Sequence, residues 1–194
     1  MTTLFWGLYS YCVLERLGEL VVSRRNQAKM LSDGFSEKES RACVRAMVAM
    51  HTAWYVAMLG EVLFFPSDLP WPVTLGAAVV FIAAQYLRFW ALLSLGSFWN
   101  ISVVTTDQLA PRFVSNGPYR FIRHPNYLVV IAEIATLPLV GGAVWTSLVF
   151  SLLNALLLYR RIPLEESHLF LIPGYRDTMG SKGRFIPREL FGER

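Results

Sequence analysis

The side chains best equipped for chemistry fall in two short polar knots. The first is Asn116-Gly117-Pro118-Tyr119-Arg120-Phe121-Ile122-Arg123-His124-Pro125-Asn126-Tyr127, and the second is Tyr159-Arg160-Arg161-Ile162-Pro163-Leu164-Glu165-Glu166. Arginine and histidine can hold an anion, adjacent carboxylates can hold a cation, and tyrosine rings present a face that attracts positive charge. The same residue types also occur as ordinary flanks of membrane helices, where Arg and Tyr extend to the interface. Whether the knots amount to a site therefore depends on the elements that carry them.

Those elements are apolar helices. Of 194 residues, 54% are hydrophobic and 16% charged, against about 25% charged in a soluble domain. A spanning helix needs about 20 apolar residues, and five runs are expected to qualify: 4–22, 42–65, 71–95, 125–140 and 143–159. The last two are short, and Gly141-Gly142 between them suits a tight helical hairpin. The fifth helix is expected to continue beyond the membrane toward Phe170, followed by a basic amphipathic tail over 174–194. Segment 96–123, with Gly96, Pro111, Gly117 and Pro118, is the longest irregular stretch. Met1-Thr2-Thr3-Leu4 has no basic start, so the first run reads as retained rather than cleaved. Cys12 and Cys43 fit no metal or redox spacing, and no metal site is expected.

Basic residues assign the sides. All but Arg16, Arg45 and Arg88 of the 18 Lys and Arg fall in 23–41, 96–123 or the part after Tyr159. The connectors 66–70 and 141–142 carry none. The positive-inside rule then predicts an all-α integral membrane protein of five helices, N-terminus outside and C-terminus cytosolic. Both knots share the cytosolic side, joined by the 125–159 hairpin. The net charge of +4 is accounted for by this distribution, so no nucleic-acid partner is expected. Trp6, Trp71 and Trp145 are placed at the outer interface, and Trp90 and Trp99 at the inner one.

The order of the motif residues carries a resemblance. Asn116-Gly117-Pro118-Tyr119, Arg123-His124-Pro125-Asn126-Tyr127, a hairpin, then Glu165-Glu166, Leu169 and Gly174-Tyr175 together resemble the isoprenylcysteine carboxyl methyltransferase family. The wider group includes the phospholipid N-methyltransferases. The likeness covers roughly 85–185. Val129 departs from it, where relatives often carry glycine, and so does Pro173-Gly174, where Phe-Gly is usual. By this resemblance residues 71–194 form the methyltransferase core, and 1–70 contribute two helices and a basic connector. It implies S-adenosyl-L-methionine as cofactor, held by Val114, Tyr119, Arg123, His124, Pro125, Asn126, Tyr127, Leu128, Glu165 and Glu166 in a cytosolic pocket. Arg160, Arg161 or Arg88 would meet the acceptor, a prenylated cysteine carboxylate or similar amphiphile among membrane lipids.

The chemistry of the cofactor agrees with those residue types. Paired carboxylates can accept from its ammonium or ribose hydroxyls. His124 and Arg123 can meet its carboxylate beside the start of the Pro125 helix, and Tyr119 and Tyr127 can wall the adenine or face the sulfonium. Methyl transfer is an in-line displacement whose main demand is orientation. A carboxylate acceptor, with a reference pKa of about 3.3–3.7, is already ionised and needs no base. An aminophospholipid would need one, and His124 or a glutamate could serve. Because sterol reductases carry a related Arg-His-Pro signature, a nicotinamide-dependent membrane reductase is the competing enzyme class; a non-catalytic scaffold is another. Among other polar residues, Arg88 inside the third run is a candidate contact. Glu133 and the Glu15-Arg16-Glu19 group read as structural, and His51 and Glu61 are expected far from the site.

Overall fold

Prolines and glycines divide the chain into helices much as expected. The computed structural model describes residues 2–34, 36–37, 41–99, 104–105 and 113–188. Pro111, named above, lies outside them, as do Lys38, Arg112 and Arg194 of the basic residues counted above. Helix α1 is Thr2–Ser32, α2 Arg41–Phe64, α3 Trp71–Leu95, α4 Pro125–Val140, α5 Val144–Leu169 and α6 Tyr175–Met179. The two-residue strands β1 (Ser36–Glu37) and β2 (Val104–Thr105) pair antiparallel, and 3-10 turns cover Gly96–Phe98 and Gly117–Arg120.

One boundary differs from expectation and one agrees with it. Helix α1 does not stop at Val22: Arg24, Arg25, Gln27, Ala28 and Lys29 are good helix formers and carry it to Ser32, where Asp33 and Gly34 turn the chain. Helix α5 runs unbroken through Pro163 to Leu169, so both carboxylates of the second knot stand on a helix. Among the described residues, Cys43–Phe64, Trp71–Phe98 and Val144–Leu169 are long and apolar enough to cross a membrane, and Pro125–Val140 is a shorter apolar helix. The polar Glu15-Arg16-Glu19 patch interrupts α1.

That patch is the centre of the helix packing. Alanines 77, 78, 84 and 91 line the buried face of α3, and small side chains let helices approach closely. Between α1, α3 and α4 the Glu133 carboxylate accepts hydrogen bonds from Arg16 and Arg88 and, at 2.5 Å, from Gln85. Arg88 also donates to Glu133 Oε1 at 2.9 Å and Glu19 at 2.8 Å, and Arg16 donates to Glu19 at 2.5 Å. Charges this deep persist only when paired. Cys12, Glu15 and Glu133 also converge within 4.8 Å, a grouping no sequence spacing suggests.

The bundle has two distinct ends. At one, Ser67 donates to the Gly142 carbonyl at 2.9 Å. Gly142 has φ of 80°, and a Cβ there would collide with Ser67 backbone. Glu61 accepts from the backbone N–H groups of Trp145 and Thr146, at 2.9 and 2.7 Å, supplying the cap that no residue of α5 provides. At the other end, Asn26 donates to the carbonyls of Gly96 and Trp99, β1 pairs with β2, and both knots meet the tail. The basic connectors thus share one end. Trp71, Trp145 and Trp90 are exposed as belt residues should be, whereas Trp99, expected at the interface, is buried.

Candidate active site

The first knot is shaped by its turns. Gly117 takes φ of 56°, and any side chain there would strike Ser94 of α3. The following 3-10 turn buries Pro118 and Tyr119. Pro125 then opens α4 at its first position, where a missing N–H costs nothing, so His124, Asn126 and Tyr127 emerge in fixed relation to the helix start. The tail locks this segment: Arg123 and His124 donate their backbone N–H groups to the carbonyls of Gly183 and Arg184, each at 3.0 Å.

The two carboxylates of the second knot have separate tasks. Glu166 is buried and accepts from His124 Nε2 at 3.1 Å and from Arg184 at 3.1 and 2.5 Å, with Arg123 at 3.4 Å. It clasps tail, α5 and first knot together. The Arg184 guanidinium is held above its ordinary pKa by that hydrogen bond to Glu166. Glu165 accepts from the Tyr127 hydroxyl, and Arg161 Nε donates to the same hydroxyl at 2.7 Å. Arg161 Nη1 also meets Met47 Sδ at 3.0 Å.

These groups wall a cavity of about 530 Å³. Its upper part is bounded by Val114, Tyr119, Arg123, His124, Asn126, Tyr127 and Glu165, all expected there, and by Phe113, Tyr175 and Met179, which were not. Burial, with the charge of Glu165 adding to it, holds the Tyr119 and Tyr175 hydroxyls above the usual tyrosine range, so both rings stay neutral. Asn126 Oδ1 and Arg123 Nε are buried with no hydrogen-bond partner among the described residues. Below Arg161 the cavity descends between α1, α2 and α5, past Met47, His51, Tyr55, Asn154 and Leu158.

Several expected site residues stand elsewhere. Arg88 is fully buried (0% exposed) and its guanidinium is taken up by Glu133 and Glu19, so it does not face the cavity. Arg160 points outward. Pro125 and Leu128 support the helix start without lining the cavity, and Glu166 lies behind its wall. Of the three arginines, Arg161 alone reaches it. Conversely His51, expected far away, lines the same cavity. Helix α2 leans on α5 through Met47 and Arg161, a contact no local pattern encodes. Phe113 and Tyr175 could have been flagged as aromatics flanking the knots; Arg184 had no distinguishing signal in a generally basic tail.

The isoprenylcysteine carboxyl methyltransferase family model matches residues 77–171. YpbQ of Bacillus subtilis is 35% identical over 86% of this chain and 96% of its own. A protein-S-isoprenylcysteine O-methyltransferase of Schizosaccharomyces pombe is 29% identical over 93% and 84%. The solved structure of the eukaryotic intramembrane Ras methyltransferase, an isoprenylcysteine carboxyl methyltransferase, superposes with a TM-score of 0.68 at 24% identity. That likeness covers 94% of this chain and 66% of the solved one, so the chain spans about two thirds of that protein's length. With motif, apolar helices and fold in agreement, this integral membrane protein belongs to the isoprenylcysteine carboxyl methyltransferase family.

Proposed function

We propose that the protein transfers the methyl group of S-adenosyl-L-methionine to the carboxylate of an isoprenylated cysteine or a similar lipophilic acceptor. The observation that carries this reading is one cavity with two characters: a charged, aromatic upper part that continues, past Arg161, into a mostly apolar chamber between helices, where Arg16 and Glu19 of α1 also reach the wall.

The upper part fits the cofactor. Glu165 can accept from an ammonium or ribose hydroxyl, and Arg123 can meet a carboxylate. The partnerless Asn126 oxygen offers an acceptor, and Tyr119, Tyr175 and Phe113 offer faces for adenine. When bound, the cofactor supplies an electrophilic methyl on a sulfonium. What the chain contributes is orientation and exclusion of water. Tyr127, fixed by Arg161 and Glu165, holds a ring beside that position, where a π face favours the cation. Arg161 can exchange the weakly accepting Met47 thioether for an acceptor carboxylate, which arrives ionised and leaves no proton to move.

In this reading all five long helices cross the membrane with the basic end in the cytosol, so the cofactor comes from the cytosol. The acceptor comes sideways from lipid. Leu17 of α1 and Val48 and Val56 of α2 line the cavity and are also exposed, which supports a lateral mouth between those helices.

The test is methyl transfer from radiolabelled S-adenosylmethionine by nanodisc-embedded protein. Base-labile label in a prenylcysteine analogue is expected. Label appearing only in an aminophospholipid, or tight nicotinamide cofactor binding with none of S-adenosylmethionine, would overturn the reading.

A further inference from the structure

Of the polar side chains that line the lower chamber, Tyr9, Arg16, Glu19, Thr52 and Tyr55 are hydrogen-bonded within the protein, whereas two others keep unused capacity. Asn154 of α5 is 3% exposed and lines the cavity. Among the described residues no protein group hydrogen-bonds to its amide. Across the cavity on α2, His51 pairs through Nδ1 with the Met47 carbonyl at 2.8 Å. A carbonyl can only accept, so Nδ1 carries the proton, and in the neutral ring Nε2 is an acceptor with no protein partner among the described residues. Met47 also ties the two levels together, since its thioether meets Arg161. At the helical rise, His51 lies about 6 Å and Asn154 about 10 Å deeper than that Met47–Arg161 contact.

An amide that opens onto a mostly apolar chamber and bonds to no described protein group is left to water or to a ligand for its hydrogen bonds. A chamber shaped for a plain prenyl or alkyl tail would hold Leu or Phe at both positions, as it does at Leu157, Leu158 and Val130. Asn154 instead offers one donor group and one acceptor, and His51 one further acceptor. We propose that His51 and Asn154 form a hydrogen-bonding station that selects an acceptor carrying a second polar group along its body. That group, an amide or hydroxyl able to donate and accept, lies one to two helical turns below the end that Arg161 holds. The inference rests on the proposed function for which end of the acceptor is methylated, and it narrows the substrate class from bare hydrocarbon tails to amphiphiles with an internal polar group.

The experiment is displacement of tritiated palmitic acid from nanodisc-embedded protein, comparing unlabelled palmitic acid with counterparts bearing a mid-chain amide or hydroxyl. The mid-chain amide is expected to displace about tenfold better than palmitic acid, one hydrogen bond's worth of affinity. In Asn154→Leu and, separately, His51→Leu, each monodisperse by size exclusion, that advantage should fall to near parity. Asn154→Ser, which keeps a donor and acceptor, should retain part of it. Equal or weaker displacement by the polar counterparts, an advantage that survives both leucine variants, or no displaceable palmitic acid at all would overturn the proposal. Because binding alone is read, an intact advantage without methyl transfer to any acceptor would instead sink the methyltransferase reading and leave the station standing.

Discussion

Arg161 donates to the phenol oxygen of Tyr127 at 2.7 Å, and this bond lies where the polar part of the cavity gives way to the apolar one. Tyr127 passes the contact on to Glu165, so a cation, a phenol and a carboxylate are held in one row. Removing the phenol oxygen breaks two charge-assisted hydrogen bonds at once. Tyr127→Phe should lower methyl transfer about tenfold to a hundredfold, with most of the loss in kcat because the ring itself remains. Radiolabel transfer kinetics measure it, and wild-type kcat in this variant would remove Tyr127 from the orienting row.

Arg161 and Arg160 should separate cleanly. Arg161→Gln is expected to raise the acceptor KM about tenfold or more without changing S-adenosylhomocysteine affinity, and Arg161→Lys should recover only part because a lysine lacks the planar fork. Arg160→Gln, on the outer surface, should behave as wild type. Equal losses in both variants would show that the acceptor contact is not at Arg161.

The Arg16–Arg88–Glu133 cluster should be intolerant of single deletions and tolerant of paired ones. Glu133→Leu leaves the buried Arg88 guanidinium and the half-buried Arg16 one under-compensated, a loss of about 3–5 kcal/mol, and should abolish monodisperse expression. Adding Arg88→Met removes one of the stranded charges and should restore part of the folded yield. Size-exclusion profiles distinguish the two; a well-behaved Glu133→Leu single variant would contradict the assigned role.

Glu166 should matter for stability more than Arg184 does. Glu166→Leu strands His124, Arg123 and Arg184, and a loss on the order of 3 kcal/mol is expected. Protease cleavage between Phe170 and Arg184 should appear with it. Arg184→Gln removes a side chain that is 47% exposed, and should cost under about 1 kcal/mol. Thermal unfolding in detergent and limited proteolysis report both.

Sidedness is open to direct labelling. In a background lacking Cys12 and Cys43, Asp68→Cys should react with a membrane-impermeant maleimide on intact cells, and Arg176→Cys only after permeabilisation. The reverse pattern would invert the bundle.

Much of the helix order could be read from the chain because its signals are local. Pro72, Gly96, Pro125 and Gly141-Gly142 mark ends through backbone restriction, and α3 and α4 begin and end close to them. The row Tyr119, His124, Asn126 and Tyr127 came from the resemblance of the motif to the family, and the four side chains do line one cavity. Arg88 was misread because an intramembrane arginine looks the same whether it faces a substrate or two glutamates, and Glu19 and Glu133 lie on other helices. Glu166 was read as a pocket residue because adjacency in sequence hides the 100° turn that sends it away from Glu165. His51 was discounted on depth alone. Its place on the cavity follows from how α2 leans on α5, a long-range packing outcome that no short stretch of sequence carries.

The backbone bonds from Arg123 and His124 to Gly183 and Arg184 have a consequence for biogenesis. Every membrane helix is synthesised before those last partners leave the ribosome. The segment that carries Arg123 and His124 is therefore locked in place only after the residues that follow α6 have folded back on it, an event separate in time from the making of the apolar helices.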